Sequence, residues 1–122
     1  MRVFVLLTAL LGGPALATDE GAALPVKRCG WFVNPTPNNA WLVDRDGEWT
    51  LSTQGGRQAE GDWPVFGKRE WVENNGHYGY GCACMKLVAG DPGTQEIARI
   101  VSAEARPLSV CRKDRRLRSE PP

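Results

Sequence analysis

Cys82 and Cys84 flank a single alanine, while Cys29 and Cys111 lie far from them along the 122-residue chain. Thiols so placed can close disulfides, exchange with other thiols or hold a metal. A direct Cys82–Cys84 bridge is the least attractive geometry. On one strand their Cα atoms would stand about 6.6 Å apart, near the upper edge of disulfide geometry, with Cβ vectors roughly parallel. Cys82 and Cys84 are therefore each expected to pair with one of Cys29 and Cys111, in an order the sequence leaves open. Either pattern closes long loops, worth roughly 3.5 to 4 kcal/mol each in the chain-entropy model. A redox-active C-x-C pair needs an accessible thiolate of low pKa, and nothing in the sequence marks one. A zinc site would draw on Cys82, Cys84 and His77 with Cys29 or Cys111. His77 falls on the opposite side of the strand, and the spacing matches no strong zinc pattern. No metal or other cofactor is expected.

His77 is the only histidine, so a Ser-His-Asp or Cys-His arrangement would have to use it. No serine sits in a nucleophile-elbow context, and Asn75-Gly76 makes His77 a turn-flanking residue. Asp44 and Asp46 offer paired carboxylates, but their Asp-Gly context explains them as turn residues. No glutamate completes a calcium loop after them. The glycines at 76, 79 and 81 lack the Lys-Ser/Thr and the following helix of a phosphate loop. No catalytic residue is assigned.

The elements that position these residues read mainly as strands. Residues 1–17 have the form of a secretory signal peptide, with Arg2, an apolar run over 3–11, and an Ala15-Leu16-Ala17 cleavage site. The apolar run is too short for a membrane span, which needs about 20 residues. Residues 18–26 form a polar, small-residue leader expected to be flexible. A single β-rich domain is expected over 27–117, followed by a tail at 118–122. Prolines at 35 and 37 with Asn34, Asn38 and Asn39 predict an irregular stretch. Residues 40–43 and 48–52 predict a hairpin around Asp44-Arg45-Asp46-Gly47. Residues 54–62 read as a loop, and Trp63-Pro64-Val65-Phe66 as an apolar island in it. Residues 70–73 and 77–88 predict strands joined by Asn74-Asn75-Gly76, and 96–101 pairs back after Asp91-Pro92-Gly93. Pro107 suits the first turn of a short helix reaching about Arg116. The fold expected is a small disulfide-stapled sandwich or partly open barrel.

Period-2 alternation divides the strand at 77–88 into two faces. Tyr78, Tyr80, Cys82, Cys84, Lys86 and Val88 share one. His77, Gly79, Gly81, Ala83, Met85 and Leu87 share the other. The two glycines let another backbone, an aromatic ring or a ligand come close, and packing by an aromatic is the expectation. Trp31, Trp41, Trp49, Trp63 and Trp71 precede a C-terminal third that has none. Several must be core, because each can bury roughly 150–250 Å². Trp63, beside Gly61, Asp62 and Pro64, is the expected exposed one. With Tyr78 and Tyr80 it forms the candidate ligand-binding set.

Basic and acidic residues nearly balance, at 15 and 14, but the basic ones cluster late. Arg106, Arg112, Lys113, Arg115, Arg116 and Arg118 stand against only Asp114 and Glu120 there. A solvated surface is the expected reading. Weak contact of Arg112, Lys113, Arg115 and Arg116 with an anionic surface is the sharper one. A near-neutral exported chain is not expected to bind nucleic acid.

Several segments resemble the uncharacterised bacterial family known as domain of unknown function 4087. They are Cys29-Gly30-Trp31-Phe32, Asn34-Pro35-Thr36-Pro37, Asp44-Arg45-Asp46-Gly47-Glu48-Trp49 and Gln54-Gly55-Gly56. Asn75-Gly76-His77 leading into Tyr78-Gly79-Tyr80-Gly81-Cys82-Ala83-Cys84 is the most specific, and Pro107-Leu108 with Cys111-Arg112 completes the set. The resemblance implies a small exported bacterial protein and supplies no catalytic residues. The function expected is a non-enzymatic binding module of the periplasm or cell envelope, or of the secreted fraction. Its partner would be an envelope protein, a glycan or a small ligand. A thiol–disulfide factor using Cys82 and Cys84, or an inhibitor of an extracellular enzyme, is the alternative.

Overall fold

The computed structural model describes Gly12 and residues 23–122. Apart from Gly12, the expected export signal lies outside the described residues, as does the leader over 18–22. Six strands and one helix follow: β1 (Val26–Thr36), β2 (Asn39–Asp44), β3 (Gly47–Ser52), β4 (Trp71–Asn75), β5 (Tyr78–Ala89), β6 (Ile97–Arg106) and α1 (Leu108–Lys113).

The strands form one antiparallel sheet, not two facing ones. Its order is β3-β2-β1-β5-β4, with β6 also on β5. β1 occupies one edge of β5 from Gly79 to Leu87. The other edge is shared: residues 78–81 pair with β4, and 82–89 with β6. The sheet curls until β3 and β6 nearly meet, through a single bridge from Thr50 to Glu96 and a 2.8 Å bond from Thr50 N to Gln95 O. It does not close. The loop after β3 spans the gap: Ala59 N donates to Leu51 O, and Ile100 N to Glu60 O.

The β2–β3 turn forms where Asp44 and Gly47 predict it. Asp44 Oδ1 accepts the N–H groups of Asp46 and Gly47 at 2.9 and 3.1 Å, and Gly47 takes the positive φ of 143°. Three expectations need correction. The stretch expected to be irregular is strand as far as Thr36, and only Pro37 and Asn38 leave it, in a turn where Asn38 takes a φ of 58°. A register shift between Val33 and Thr36 absorbs Pro35, and the Asn34 amide donates to Thr36 O and Asn39 O where the proline lacks a donor. β6 runs to Arg106, not 101, because β4 leaves the far half of β5's edge unpaired. The helix ends at Lys113, and Pro107 is its N-cap and not in its first turn.

The two faces of β5 bury two clusters. Ala83, Met85 and Leu87 join Phe32, Leu42, Leu51, Ile97 and Ile100 inside the curl. Tyr80 and Cys82 join Trp31, Val33 and Cys111 on the outer face, where Leu108 and Leu117 cover them. Of the two glycines, Gly81 has the expected aromatic, Phe66, while Gly79 is met by the Val72 backbone. A Cβ on Gly81 would lie 2.5 Å from the Phe66 ring and 2.7 Å from Glu70 O.

Candidate functional site

All four cysteines are closed into two bridges, Cys29–Cys84 and Cys82–Cys111. The order left open by the sequence is thereby resolved, and no thiolate remains for a metal. Cys29 and Cys84 oppose one another in the β1–β5 ladder with Cα atoms 4.0 Å apart, the close spacing of a non-hydrogen-bonded pair. Cys82–Cys111 ties α1 to the outer face at a Cα separation of 5.7 Å. Cys82 and Cys84 thus belong to different bridges in different surroundings, and C-x-C is not a chemical unit in this fold.

The chain after α1 completes the outer face. Arg112 pairs with Glu120, and the Asn74 amide donates to Pro122 O at 2.6 Å. Tyr80 lies beneath at 4% exposure, edge-to-face with Trp31 at 5.4 Å. Burial, then the Glu120 carboxylate, raises its phenol above the ordinary value. Its ring is thus an internal packing surface. Tyr78 is half-buried and stacks on the exposed His77 at 4.2 Å, in the β4–β5 turn. Of the basic residues, Arg112 engages Glu120 and Arg116 engages Asp114. Lys113 and Arg115 are exposed.

Asp44 is a hub of structure. At 4% exposure, its Oδ1 accepts Trp49 Nε1 at 2.9 Å as well as the two turn N–H groups, and its Oδ2 accepts Arg28 at 2.9 Å. The Arg28 guanidinium lies 3.7 Å over the Trp49 ring. Burial pushes the Asp44 carboxyl up. The hydrogen bonds from Arg28, Trp49 and Asp46 N, with the Arg28 charge, more than offset it and hold it below the usual value.

The surface best formed to meet a ligand runs along residues 61–73. Trp63, expected to be exposed, is half-buried and packs on Phe32 at 5.6 Å. Its outer side lines a cleft of about 400 Å³ with Gly61, Asp62, Val101 and Ala103. Phe66 and Trp71, 4.9 Å apart, line a second cleft of about 590 Å³ with Lys68 and Glu73. Between Trp63 and Phe66 in the chain stands Val65, 88% exposed on a buried Pro64. Trp63, Phe66 and Trp71 each pack on Phe32, whereas Tyr80 belongs to the outer-face cluster, so the structure separates Trp63 from Tyr80. The apolar island in a polar loop was the sequence signal for Val65 and Phe66.

A family model described as a protein of unknown function (DUF4087) matches residues 24–118. No curated protein and no solved structure matches the chain. Among the described residues, no helix is long and apolar enough to cross a membrane.

Proposed function

The chain belongs to the DUF4087 family, and from that premise we propose that it is an exported, non-enzymatic binding module of the periplasm or cell envelope. The observation that carries this reading is Val65, 88% exposed and flanked in the chain by Trp63 and Phe66, each of which lines a cleft. An exposed aliphatic side chain on a proline seat gains free energy by meeting an apolar surface and offers nothing to a sugar hydroxyl. Asp62, Lys68 and Glu73 border the clefts with both signs of charge, the rim that surrounds an apolar interface centre. The partner this favours is an envelope protein, with a glycan as the competing ligand. Two closed bridges suit an oxidising compartment, which supports export.

The test is capture from envelope extract with the wild type and Val65→Glu. Val65 is too exposed to support the core, so the variant should fold and lose its partner. Equal recovery by both would remove Val65 from the reading, and recovery of glycan alone would replace the protein partner. N-terminal sequencing of periplasmic material tests export, with Thr18 as the expected first residue.

A further inference from the structure

The two bridges share the outer face of the sheet and differ in access. Cys82 and the α1 residue Cys111 are 1% and 4% exposed, although Cys111 also lines a cleft of about 360 Å³ with Trp31, Arg112 and Glu120. Cys29 is exposed and Cys84 half-buried. Cys29 opens onto a cleft of about 290 Å³ bounded by the start of β1, the β2–β3 turn, Asp114 and Arg116. A cleft of that size admits a small thiol or the cysteine side chain of a partner.

The charge around this bridge is uneven. Lys27 and Lys86 oppose one another in the β1–β5 ladder, two residues along from Cys29 and Cys84 and on the same face. Neither forms a salt bridge among the described residues. The acidic groups nearby are already engaged. Asp44 and Asp46 meet Arg28, Asp46 also lies near Arg45, and Asp114 meets Arg116. Glu104, opposite Cys84 on β6, meets Arg106. Two uncompensated ammonium groups therefore flank the accessible bridge.

We propose that Cys29–Cys84 is a thiol–disulfide exchange site for an anionic external thiol, with Cys82–Cys111 as the permanent staple. The incoming thiolate attacks Sγ of Cys29, the exposed member of the pair and the one that lines the cleft. The Cys29–Cys84 bond breaks, and Cys84 Sγ leaves as a thiolate with the bonding pair. A second external thiolate attacks the sulfur now joined to Cys29 and releases Cys29 as a thiolate. Two electrons pass from the two external thiols to the bridge, the external thiols become a disulfide, and the protons they lost go to Cys29 and Cys84. Lys27 and Lys86 attract the anionic reagent and favour the leaving thiolate. The hydrogen-bonded ladder between β1 and β5 holds the fold while the bridge is open. This inference stands on the bridge and not on the Val65 surface.

The experiment exposes the oxidised full chain to glutathione or to neutral mercaptoethanol, then alkylates and maps the labels by peptide mass. Cys29 and Cys84 should be labelled about tenfold or more faster than Cys82 and Cys111, with the circular dichroism of the fold retained. The glutathione rate should fall several-fold as salt is raised through the screening range, and the mercaptoethanol rate should fall less, because its attacking thiolate carries one negative charge against a net two on the glutathione thiolate. In Lys27→Gln with Lys86→Gln the glutathione rate should lose that excess salt dependence. Labelling of all four cysteines together, labelling of Cys82 and Cys111 first, or no labelling without denaturant would overturn the site. A glutathione rate no more sensitive to salt than the mercaptoethanol rate would overturn its preference for an anionic reagent.

Discussion

Replacing Asp44 tests how much of the fold hangs on one carboxylate, because its two oxygens divide the labour. Oδ1 takes three donors, from Asp46 N, Gly47 N and Trp49 Nε1, while Oδ2 takes Arg28 alone. In Asp44→Asn the carbonyl can keep the three bonds at Oδ1. The new NH₂ then faces the Arg28 guanidinium, and one charge-assisted bond is lost. Such bonds contribute about 1.5–3 kcal/mol, so the variant should lose about 2 kcal/mol. In Asp44→Ala all four bonds go, and Arg28, only 17% exposed, is left beside Trp49 without its buried partner. Breaking a buried pair costs about 3–5 kcal/mol, so about 4 kcal/mol is expected. Urea unfolding followed by tryptophan fluorescence reads both losses at unchanged m-value. The pH dependence has a definite sign. The folded carboxyl lies below its ordinary value, so its contribution is full above the unfolded pKa and fades as pH falls through the folded one. The gap between wild type and Asp44→Asn should therefore be constant near neutrality and narrow below about pH 4. If Asn costs as much as Ala, or the gap does not move down to about pH 2, the division of labour between the oxygens is wrong.

Gly81→Ala should destabilise by about 1–3 kcal/mol, since the added methyl meets the Phe66 ring and Glu70 O below contact distance; a melting temperature equal to wild type would contradict the packing. Cys82→Ser with Cys111→Ser should cost about 3 kcal/mol and raise amide exchange in α1 and around Tyr80, and mass-resolved hydrogen exchange reads both. Trp63→Ala should cost about 2 kcal/mol or more through lost packing on Phe32, while Val65→Glu should stay within about 0.5 kcal/mol in the same denaturation assay.

Local chemistry made much of this chain legible. Asp44-Arg45-Asp46-Gly47 carries its own turn, because the side chain that caps it and the glycine that permits it are neighbours in sequence. The division of β5 into a Tyr80–Cys82 face and an Ala83–Met85–Leu87 face follows from alternation alone. The rejection of a Cys82–Cys84 bridge needed only the strand repeat. Pro35 misled because a proline weakens a ladder locally, and Asn34 repairs the loss with bonds to Thr36 and Asn39.

Other properties exist only once distant segments meet. Which bridge each cysteine joins depends on the β1–β5 register, which sets Cys29 opposite Cys84 and leaves Cys82 to meet Cys111 of α1. That register also decides access, so one bridge is exposed at Cys29 and the other is buried at both cysteines. Trp63 looked exposed from its glycine and proline neighbours, yet Phe32, thirty-one positions earlier, supplies the surface that half-buries it. The Arg28–Trp49–Asp44 hub likewise joins a strand start to a hairpin. Turns and strand faces are written in spacing, because backbone geometry acts over a few residues. Burial, bridge order and charge neighbourhood were decided by tertiary structure, because each depends on how far apart surfaces lie in space rather than along the chain.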